Sequence, residues 1–568
     1  MDWRRWADAL WFLAWAVLSS AWCLTAAAQL GPTFDEPIYL ERGLGCWRDL
    51  SHAGLIKLGT MPLPIDVQTF PLFLWESWHG TPIDPLADLH AVLPWMRAGN
   101  LVFWWLLLCY GWRTGRMLAG PWGGRFAVAV LACEPNLLAH GALATTDIAI
   151  TACLLALLYH FRAGRDCSWP RRLALPAIWC GLAILAKASA IVYAPICLAV
   201  IELERLIRAG AFAAPTGTRL GHAWQVLRPA WRDGVCIVLG GLTFAVVYCG
   251  SDFSPQPAFV EWANGLPEGA LANCMIWLSE NLCIFSNGLE GIVRQVKHNM
   301  RGHGTYLLGE AFPRSVWYYF PVLLTIKLTV PVLLAPLAAL AAGRVRVLTN
   351  WACLTALVLL VFSLTFRVQI GIRLVLPLVA IGIVGLSAAL VEGLRSPRWQ
   401  WTRPAFATAI ACGLIWTTTA TAMIWPHGLC YINELWGGST RGYDLVSDSN
   451  YDWGQGLPEL LAWQRQTGND IDVWYFGRDM IAQTSSLRDL PLHILPVQRP
   501  GDVVQFVQAR YLAVSTTLLY GQATNLPAHQ QAAEFLRHCQ PAARTMTFVI
   551  FEREELLKAR PADGLDGG

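Results

Sequence analysis

Gly31-Pro32-Thr33-Phe34-Asp35-Glu36-Pro37-Ile38-Tyr39 follows directly on an apolar run, residues 8–30, long enough to cross a membrane. Two adjacent carboxylates at the mouth of such a run are costly to place, because charge beside hydrocarbon needs water, a partner or a task. An acidic loop start at the water interface is the plainer reading. Against it stands the set of charged residues that the rest of the chain brings to the same side of the membrane.

The 568 residues are 55% hydrophobic and 14% charged, with 29 Trp, a composition that excludes an ordinary soluble enzyme and fits a polytopic membrane protein. A net charge of +3, with no basic run interleaved with aromatics, gives no sign of a nucleic-acid partner. The 16 Cys are scattered, mostly within apolar runs, and read as small core residues; Cys274 and Cys283 share one loop and either pair or stay free. Arg4 and Arg5 before an apolar run ending Ala26-Ala27-Ala28 resemble a signal peptide, but the run's length and its Trp content favour a retained span.

Apolar runs recur at about 8–28, 99–118, 126–143, 146–162, 173–186, 189–206, 234–250, 316–341, 347–365, 372–393 and 404–425, giving about eleven spans. The pairs 126–143/146–162 and 173–186/189–206 read equally as single long buried segments. With the N-terminus inside, the inner segments hold Arg4, Arg5, Arg113, Arg116, Arg125, Arg162, Arg165, Arg171, Arg172, Arg205, Arg208, Arg219, Arg228, Arg232, Arg344, Arg346, Arg395, Arg398 and Arg403. The outer segments hold far fewer, among them Arg42, Arg48, Lys57 and Arg97, so the positive-inside rule places the N-terminus in the cytoplasm and the C-terminus outside. Residues 1–425 then form the membrane unit, with long outer loops at 31–97 and 251–315. The first loop carries Trp75, Trp78 and Trp95 on short interfacial helices, and the second holds a helix around 268–285. Residues 426–568 turn polar and form a small extracytoplasmic α/β domain, with helices at Leu457–Gln466 and Ala532–His538 and strands at Ile471–Phe476, Tyr511–Val514 and Thr545–Phe551.

This topology gathers charge at the outer face. Asp35 and Glu36 open the first loop, and Asp147 and Lys187 sit at two outer hairpins. His303 and Glu310 lie in the second loop, Lys327 a third of the way into the span 316–341, and Arg373 opens the span 372–393. Taken singly, each has a plainer reading: Asp147 a helix cap, Lys187 and Arg373 snorkelling cations, His303 a loop histidine. Lys327 is harder to dismiss, because a lysine well inside a span faces a cavity or an anion. Together the acids can take a proton from an acceptor hydroxyl or hold a metal ion, and the cations can hold a phosphate at the bilayer edge. Asp35, Glu36 and His303 are a set able to ligate a divalent metal ion, and an ion-free base mechanism is written in the same residues.

Longer motifs carry a resemblance. They are Thr33-Phe34-Asp35-Glu36-Pro37; Glu134-Pro135-Asn136-Leu137-Leu138-Ala139-His140-Gly141 running into Thr145-Thr146-Asp147; and Leu185-Ala186-Lys187. Gly302-His303-Gly304-Thr305-Tyr306-Leu307-Leu308-Gly309-Glu310, Trp317-Tyr318-Tyr319-Phe320-Pro321 with Lys327, and Arg373-Leu374-Val375-Leu376-Pro377 complete the membrane part. In this order they resemble bacterial members of the glycosyltransferase-C superfamily close to family 39, the protein O-mannosyltransferases and lipid A aminoarabinose transferases. The tail motif Asp448-Ser449-Asn450-Tyr451-Asp452-Trp453-Gly454-Gln455 is similar to that of a bacterial branch carrying this domain. The resemblance implies inverting transfer of one sugar from a polyprenyl-monophosphate carrier to a lipid, glycan or protein acceptor. Asp35 would be the base, Glu36 its companion and Asp147 the second acid, while Lys187, His303, Lys327 and Arg373 would hold the donor phosphate. The second loop lacks the β-trefoil-type insertion of the eukaryotic enzymes. Asp448 and Asp452 read either as acceptor-binding groups or as the N-terminal cap of the helix that follows.

Two other classes compete with a transferase. A transporter or flippase of a lipid-linked sugar fits many spans with intramembrane charge, but no repeat relates two halves of the chain. A non-catalytic binding protein leaves Asp35, Glu36 and Asp147 without a task. Convergence of Asp35 and Asp147 on one place separates the three.

Overall fold

The computed structural model describes residues 3–210, 219–343, 345–395, 403–479, 487–521 and 526–560. Arg344 and Arg398, two of the arginines assigned to the inner side, lie outside the described residues, as do the side chains of Arg4, Arg5 and Arg219. The chain is a polytopic helical membrane protein with a small sheet toward its C-terminus. Among the described residues six helices are long and apolar enough to cross a membrane, or seven if one bent pair is a single span. The other expected spans fall on shorter or broken helices, which length and composition alone do not single out.

Helix α1 (Trp3–Ala27) leads into a first loop of four short helices, α2 (Glu36–Asp49), α3 (Ala53–Ile56), α4 (Leu63–His79) and α5 (Leu89–Gly99). The runs at 99–118 and 126–143 become α6 (Leu101–Cys133), folded into a hairpin at Ala119-Gly120, and α7 (Pro135–Gly141). Gly120 takes φ +70° at the bend, and the legs touch backbone to backbone, since a Cβ on Gly115 would lie 2.5 Å from the carbonyl oxygen of Gly123. Only small residues allow helices so close. The pairs left open by the sequence are separate helices: α8 (Asp147–Gly164) follows α7 after a loop, and α9 (Leu175–Ala186) is parted from α10 (Ala190–Arg208) at Lys187. Helix α8 is buried nearly throughout, which explains why its apolar residues show no amphipathic stripe.

After α11 (Arg219–Cys249) the second loop supplies α12 (Pro257–Asn264), α13 (Ala270–Asn281), α14 (Ser286–Arg301) and a hairpin of β1 (Thr305–Leu307) and β2 (Glu310–Phe312). Helix α13 occupies the stretch expected around 268–285, and Cys274 and Cys283 are free thiols. The run 316–341 is not one straight span. It breaks into α15 (Tyr319–Lys327) and α16 (Val330–Gly343), bent by 104°, so Lys327 ends a helix instead of sitting within one. Next come α17 (Val345–Leu348), α18 (Trp351–Ser363), a single turn at Ile372–Val375 that carries Arg373, α19 (Leu376–Arg395) and α20 (Arg403–Ile424).

The tail supplies α21 (Leu457–Thr467), β3 (Ile471–Trp474), β4 (Leu487–Asp489), β5 (Tyr511–Ser515), α22 (Pro527–His538), β6 (Ala543–Arg544) and β7 (Phe548–Glu552). The sheet order is β4-β3-β5-β7-β6, with β3 parallel to both β4 and β5 and β7 antiparallel to β5 and β6. The short strands β4 and β6 carry no readable alternation in sequence. The carboxyl end of β3 faces the start of the first loop, and that of β5 faces residues 426–456. Phe476, just past β3, stacks on Phe34 at 5.4 Å, and Thr517, just past β5, donates to the carbonyl of Asp452 at 2.7 Å. Residues 426–456, between α20 and α21, thread along the bundle end, where Gly31 N–H donates to Gln455 O and Phe34 N–H to Trp453 O, both at 2.9 Å.

Candidate active site

Four of the expected residues meet at the bundle end in two ion pairs. Arg373 lies 3.1 Å from Asp35, and Lys187 lies 2.6 Å from Asp147. The two pairs share one electrostatic neighbourhood: Asp35, Asp147, Asp448 and Tyr39 all act on Arg373, and Asp35 and Asp147 both act on Tyr39. Asp35 thus pairs with Arg373 while Asp147 acts on it through its charge, although the two acids are 112 positions apart in sequence. The guanidinium also lies over the ring of Trp453, 4.2 Å from its centroid, which fixes its plane. Asp147 is fully buried and does not cap α8; one carboxylate oxygen takes Lys187 and the other has no hydrogen-bond partner among the described residues.

Glu36 stands apart from its neighbour. Fully buried, it accepts from Thr33 N–H and hydroxyl, from Ala144 N–H and twice from Arg97, at 2.7–3.0 Å. Burial by itself would push this carboxyl up, but Arg97 and the N–H groups of Thr33 and Ala144 outweigh it and hold the pKa below the ordinary value. Five donors on two oxygens leave no room for a metal ion or an acceptor hydroxyl. The geometry therefore corrects the catalytic and metal-ligating roles expected of Glu36: it joins the first loop to the α7–α8 loop. Arg97, in sequence one more outer-loop cation, is the partner that holds Glu36. It is 1% exposed and also donates to the carbonyls of Ala27, Leu30 and Gly31, tying the end of α1 to the site. Its place immediately before an apolar run was the available signal.

Lys327 is likewise committed. Its ammonium donates to the carbonyls of Leu429, Tyr431 and Asn450 at 2.7–2.8 Å, using all three N–H bonds, and the residue is 1% exposed. The expected phosphate ligand is instead a clamp holding the 426–456 segment against α15. His303 is exposed, with its Nδ1 2.7 Å from the carbonyl of Gly304, and it reaches the site only through its charge interaction with Asp448. Glu310 is exposed on β2. No group of three or more His, Cys, Asp or Glu placed to hold a metal ion occurs among the described residues, so Asp35, Glu36 and His303 do not assemble into the expected set.

Neither tail acid caps α21, whose N-cap position is Gly456 and carries no side-chain hydrogen bond. Asp448, at φ +55°, lies beside Arg373; burial pushes its carboxyl up against the pull of that guanidinium. Asp452 accepts from Gly454 N–H, Thr516 hydroxyl and Thr517 N–H, and burial pushes its pKa up to about 7. Asn450 accepts from Ile372 N–H at 2.9 Å, one residue before Arg373, and donates to the Tyr319 hydroxyl at 3.0 Å. The tail motif is thus one wall of the site.

A cationic pair held at a bundle end by carboxylates, with an unpaired carboxylate oxygen behind, can exchange its acids for a phosphate. Residues 92–213, from α5 to beyond α10, match the family model of the dolichyl-phosphate-mannose-protein mannosyltransferases. This is glycosyltransferase sequence. The transferase stretch includes Arg97, Asp147 and Lys187, while Asp35, Arg373 and the tail lie outside the matched residues. ArnT from Cupriavidus metallidurans bound to undecaprenyl phosphate is similar in structure with a TM-score of 0.43 and 12% identity, over 98% of this chain and 99% of that one. The archaeal oligosaccharyltransferase AglB from Archaeoglobus fulgidus, in complex with an inhibitory peptide and a dolichol-phosphate, gives a TM-score of 0.45 and 13% identity, over 96% of this chain and 75% of its own. No curated protein matches the chain in sequence.

Proposed function

We propose that this protein transfers a single sugar, with inversion, from a polyprenyl-monophosphate carrier to a hydroxyl of a lipid, glycan or protein acceptor at the outer face of the plasma membrane. Residues 1–425 act as the membrane transferase unit, and residues 426–568 form an extracytoplasmic unit that closes over it. The observation that carries the reading is the Asp35–Arg373 pair beside the Asp147–Lys187 pair at one bundle end. Arginines away from this site, Arg116 and Arg125 paired with Asp8 and Arg165 and Arg172 paired with Asp233, support a cytoplasmic N-terminus.

Before the donor arrives, each cation is neutralised by a carboxylate. The donor phosphate, anchored by its lipid in the bilayer, draws Arg373 and Lys187 to itself, because a charge-assisted bond to phosphate replaces one to carboxylate. Asp35 is then free to take the proton of the acceptor hydroxyl. The acceptor oxygen attacks the anomeric carbon from the face opposite the phosphate, the bond from that carbon to the phosphate oxygen breaks, and its electron pair leaves on polyprenyl phosphate. The proton ends on Asp35, and the developing charge of the leaving group rests on Arg373 and Lys187.

The test is transfer from a panel of labelled polyprenyl-phosphate sugars in membranes carrying the wild type or Asp35→Asn. Label moving to a new glycoside with the wild type and lost with the variant is the expected result. Passage of the donor across the bilayer without a new glycoside, unchanged in the variant, would replace this reading with transport.

A further inference from the structure

Asp35 is aimed by its backbone. Among the described residues its carboxylate has one hydrogen-bond partner, Arg373 at 3.1 Å, and its side chain is 25% exposed. In the proposed reaction the donor phosphate draws that guanidinium away just when the acid must take a proton. What then fixes Asp35 is the peptide on either side of it, at Phe34 and Glu36.

Both neighbours lead to one strip of the extracytoplasmic unit, residues 476–479, which leaves the inner strand β3. Phe476 stacks on the Phe34 ring at 5.4 Å with the planes 19° apart. Arg478 lies over the same ring, 4.2 Å from its centroid. Asp479 lies 2.8 Å from Nε2 of His90, in the first turn of α5. About two turns further along that helix, Arg97 holds Glu36. The strip thus reaches the residue before the base directly and the residue after it through α5.

The strip is itself fixed. Phe476 N–H donates to the Ser515 hydroxyl of β5 at 3.0 Å, and the Tyr475 hydroxyl donates to the carbonyl of Gly454 at 2.6 Å. Gly454 takes φ +95°, and a Cβ there would lie 2.8 Å from the carbonyl oxygen of Phe476, so the two backbones touch. The Asp479 side chain is 1% exposed. Arg478 is exposed and forms no ion pair among the described residues, so its place on the ring is not a by-product of a salt bridge.

We infer that Phe476, Arg478 and Asp479 are positioning residues for the base, acting through Phe34 and His90, so that the extracytoplasmic unit aims Asp35. This rests on the transferase reading and gives that unit a part in the chemical step. A misplacement of about 1 Å can cost about a hundredfold in rate, and a base that is only misaimed leaves donor affinity unchanged.

The test uses the full chain in lipid nanodiscs, with the labelled donor that the panel identifies. Wild type is compared with Phe34→Leu, Phe34→Tyr, Arg478→Met and Arg478→Lys. Binding of labelled polyprenyl phosphate counts the folded sites in each preparation, and rates are expressed per site. Phe34→Leu should lose about tenfold or more in kcat with donor KM within about twofold of wild type. Phe34→Tyr, which keeps the ring, should retain most of the rate. Arg478→Met should lose about threefold, the scale of one exposed cation–π contact, and Arg478→Lys less. A merely structural role would lower the number of sites and leave the rate per site alone. Full rate per site in both Phe34→Leu and Arg478→Met overturns this inference alone, as does an equal loss in Phe34→Leu and Phe34→Tyr. A donor KM that rises in step with the loss also overturns it, since the ring would then be touching the donor. A wild type that binds polyprenyl phosphate but moves no sugar overturns the transferase reading, and this inference with it.

Discussion

Glu36→Gln distinguishes a carboxylate that does chemistry from one that holds the site together. The native side chain accepts five hydrogen bonds at 2.7–3.0 Å, two from Arg97, and neither Glu36 nor Arg97 has measurable side-chain exposure. Glutamine offers one acceptor oxygen and turns an NH2 group toward donors, leaving the Arg97 charge buried and half-partnered. Removing one member of a buried ion pair costs about 3–5 kcal/mol. The expected outcome is a melting temperature several degrees lower in detergent, followed with a thiol-reactive dye on buried cysteines such as Cys23, Cys46 and Cys430. Transfer activity should fall in parallel, because Ala144 N–H loses its acceptor three residues before Asp147. Glu36→Gln combined with Arg97→Gln should recover part of the loss, with a coupling of about 1–3 kcal/mol. The carboxyl's pKa lies below its ordinary value of 4.5 in the folded state, so its contribution is complete above that pH and fades as pH falls through the lowered value. Unchanged melting with kcat alone reduced would refute the reasoning and return Glu36 to the reacting groups.

Two further outcomes follow from the tail. Lys327→Met leaves the carbonyls of Leu429, Tyr431 and Asn450 without their shared donor, at a cost of about 1–3 kcal/mol for each unpaired group. It should speed proteolysis within residues 426–456 of the folded protein while donor KM changes little, and a rise in KM with unchanged proteolysis would mean that the ammonium touches phosphate. Asp452→Asn reports on the opposite kind of carboxyl. With its pKa raised to about 7 from an ordinary 3.8, the folded state binds the extra proton, so native stability falls as pH rises across that interval and levels off above it. The stability of Asp452→Asn relative to wild type should therefore improve from about pH 4 to pH 7, and a pH-independent difference in denaturation midpoints would contradict the assignment.

Much of the membrane architecture was legible because hydrocarbon imposes length and composition on any chain that crosses it. The apolar runs fall on helices, and Asp147, Lys187 and Arg373 all stand at helix ends or breaks, where each meets a partner of opposite charge. Two of the tail helices and three of its strands are readable from the sequence pattern, whereas β4 and β6, at three and two residues, are too short to show one. What one-dimensional patterns do not carry is which side chains spend their hydrogen-bonding capacity on backbone. Glu36 and Lys327 look as available in sequence as Asp35 and Arg373. Only the packed structure shows five donors on one and three carbonyls on the other.

The sequence by itself determined that this is a membrane-spanning chain with acids and cations at one face, since burial of apolar length and the cost of charge in hydrocarbon are local properties of residues. Only the tertiary structure decided which of those charges meet. Asp35 and Arg373 are joined across 338 positions, and Asn100, Gln68 and Glu36, from other elements, satisfy the backbone of His140, Gly141, Ala144 and Thr145. Hydrogen bonds are exclusive and directional, so the division of polar groups between holding the fold and facing a substrate is set by contacts between distant segments, which a linear pattern does not record.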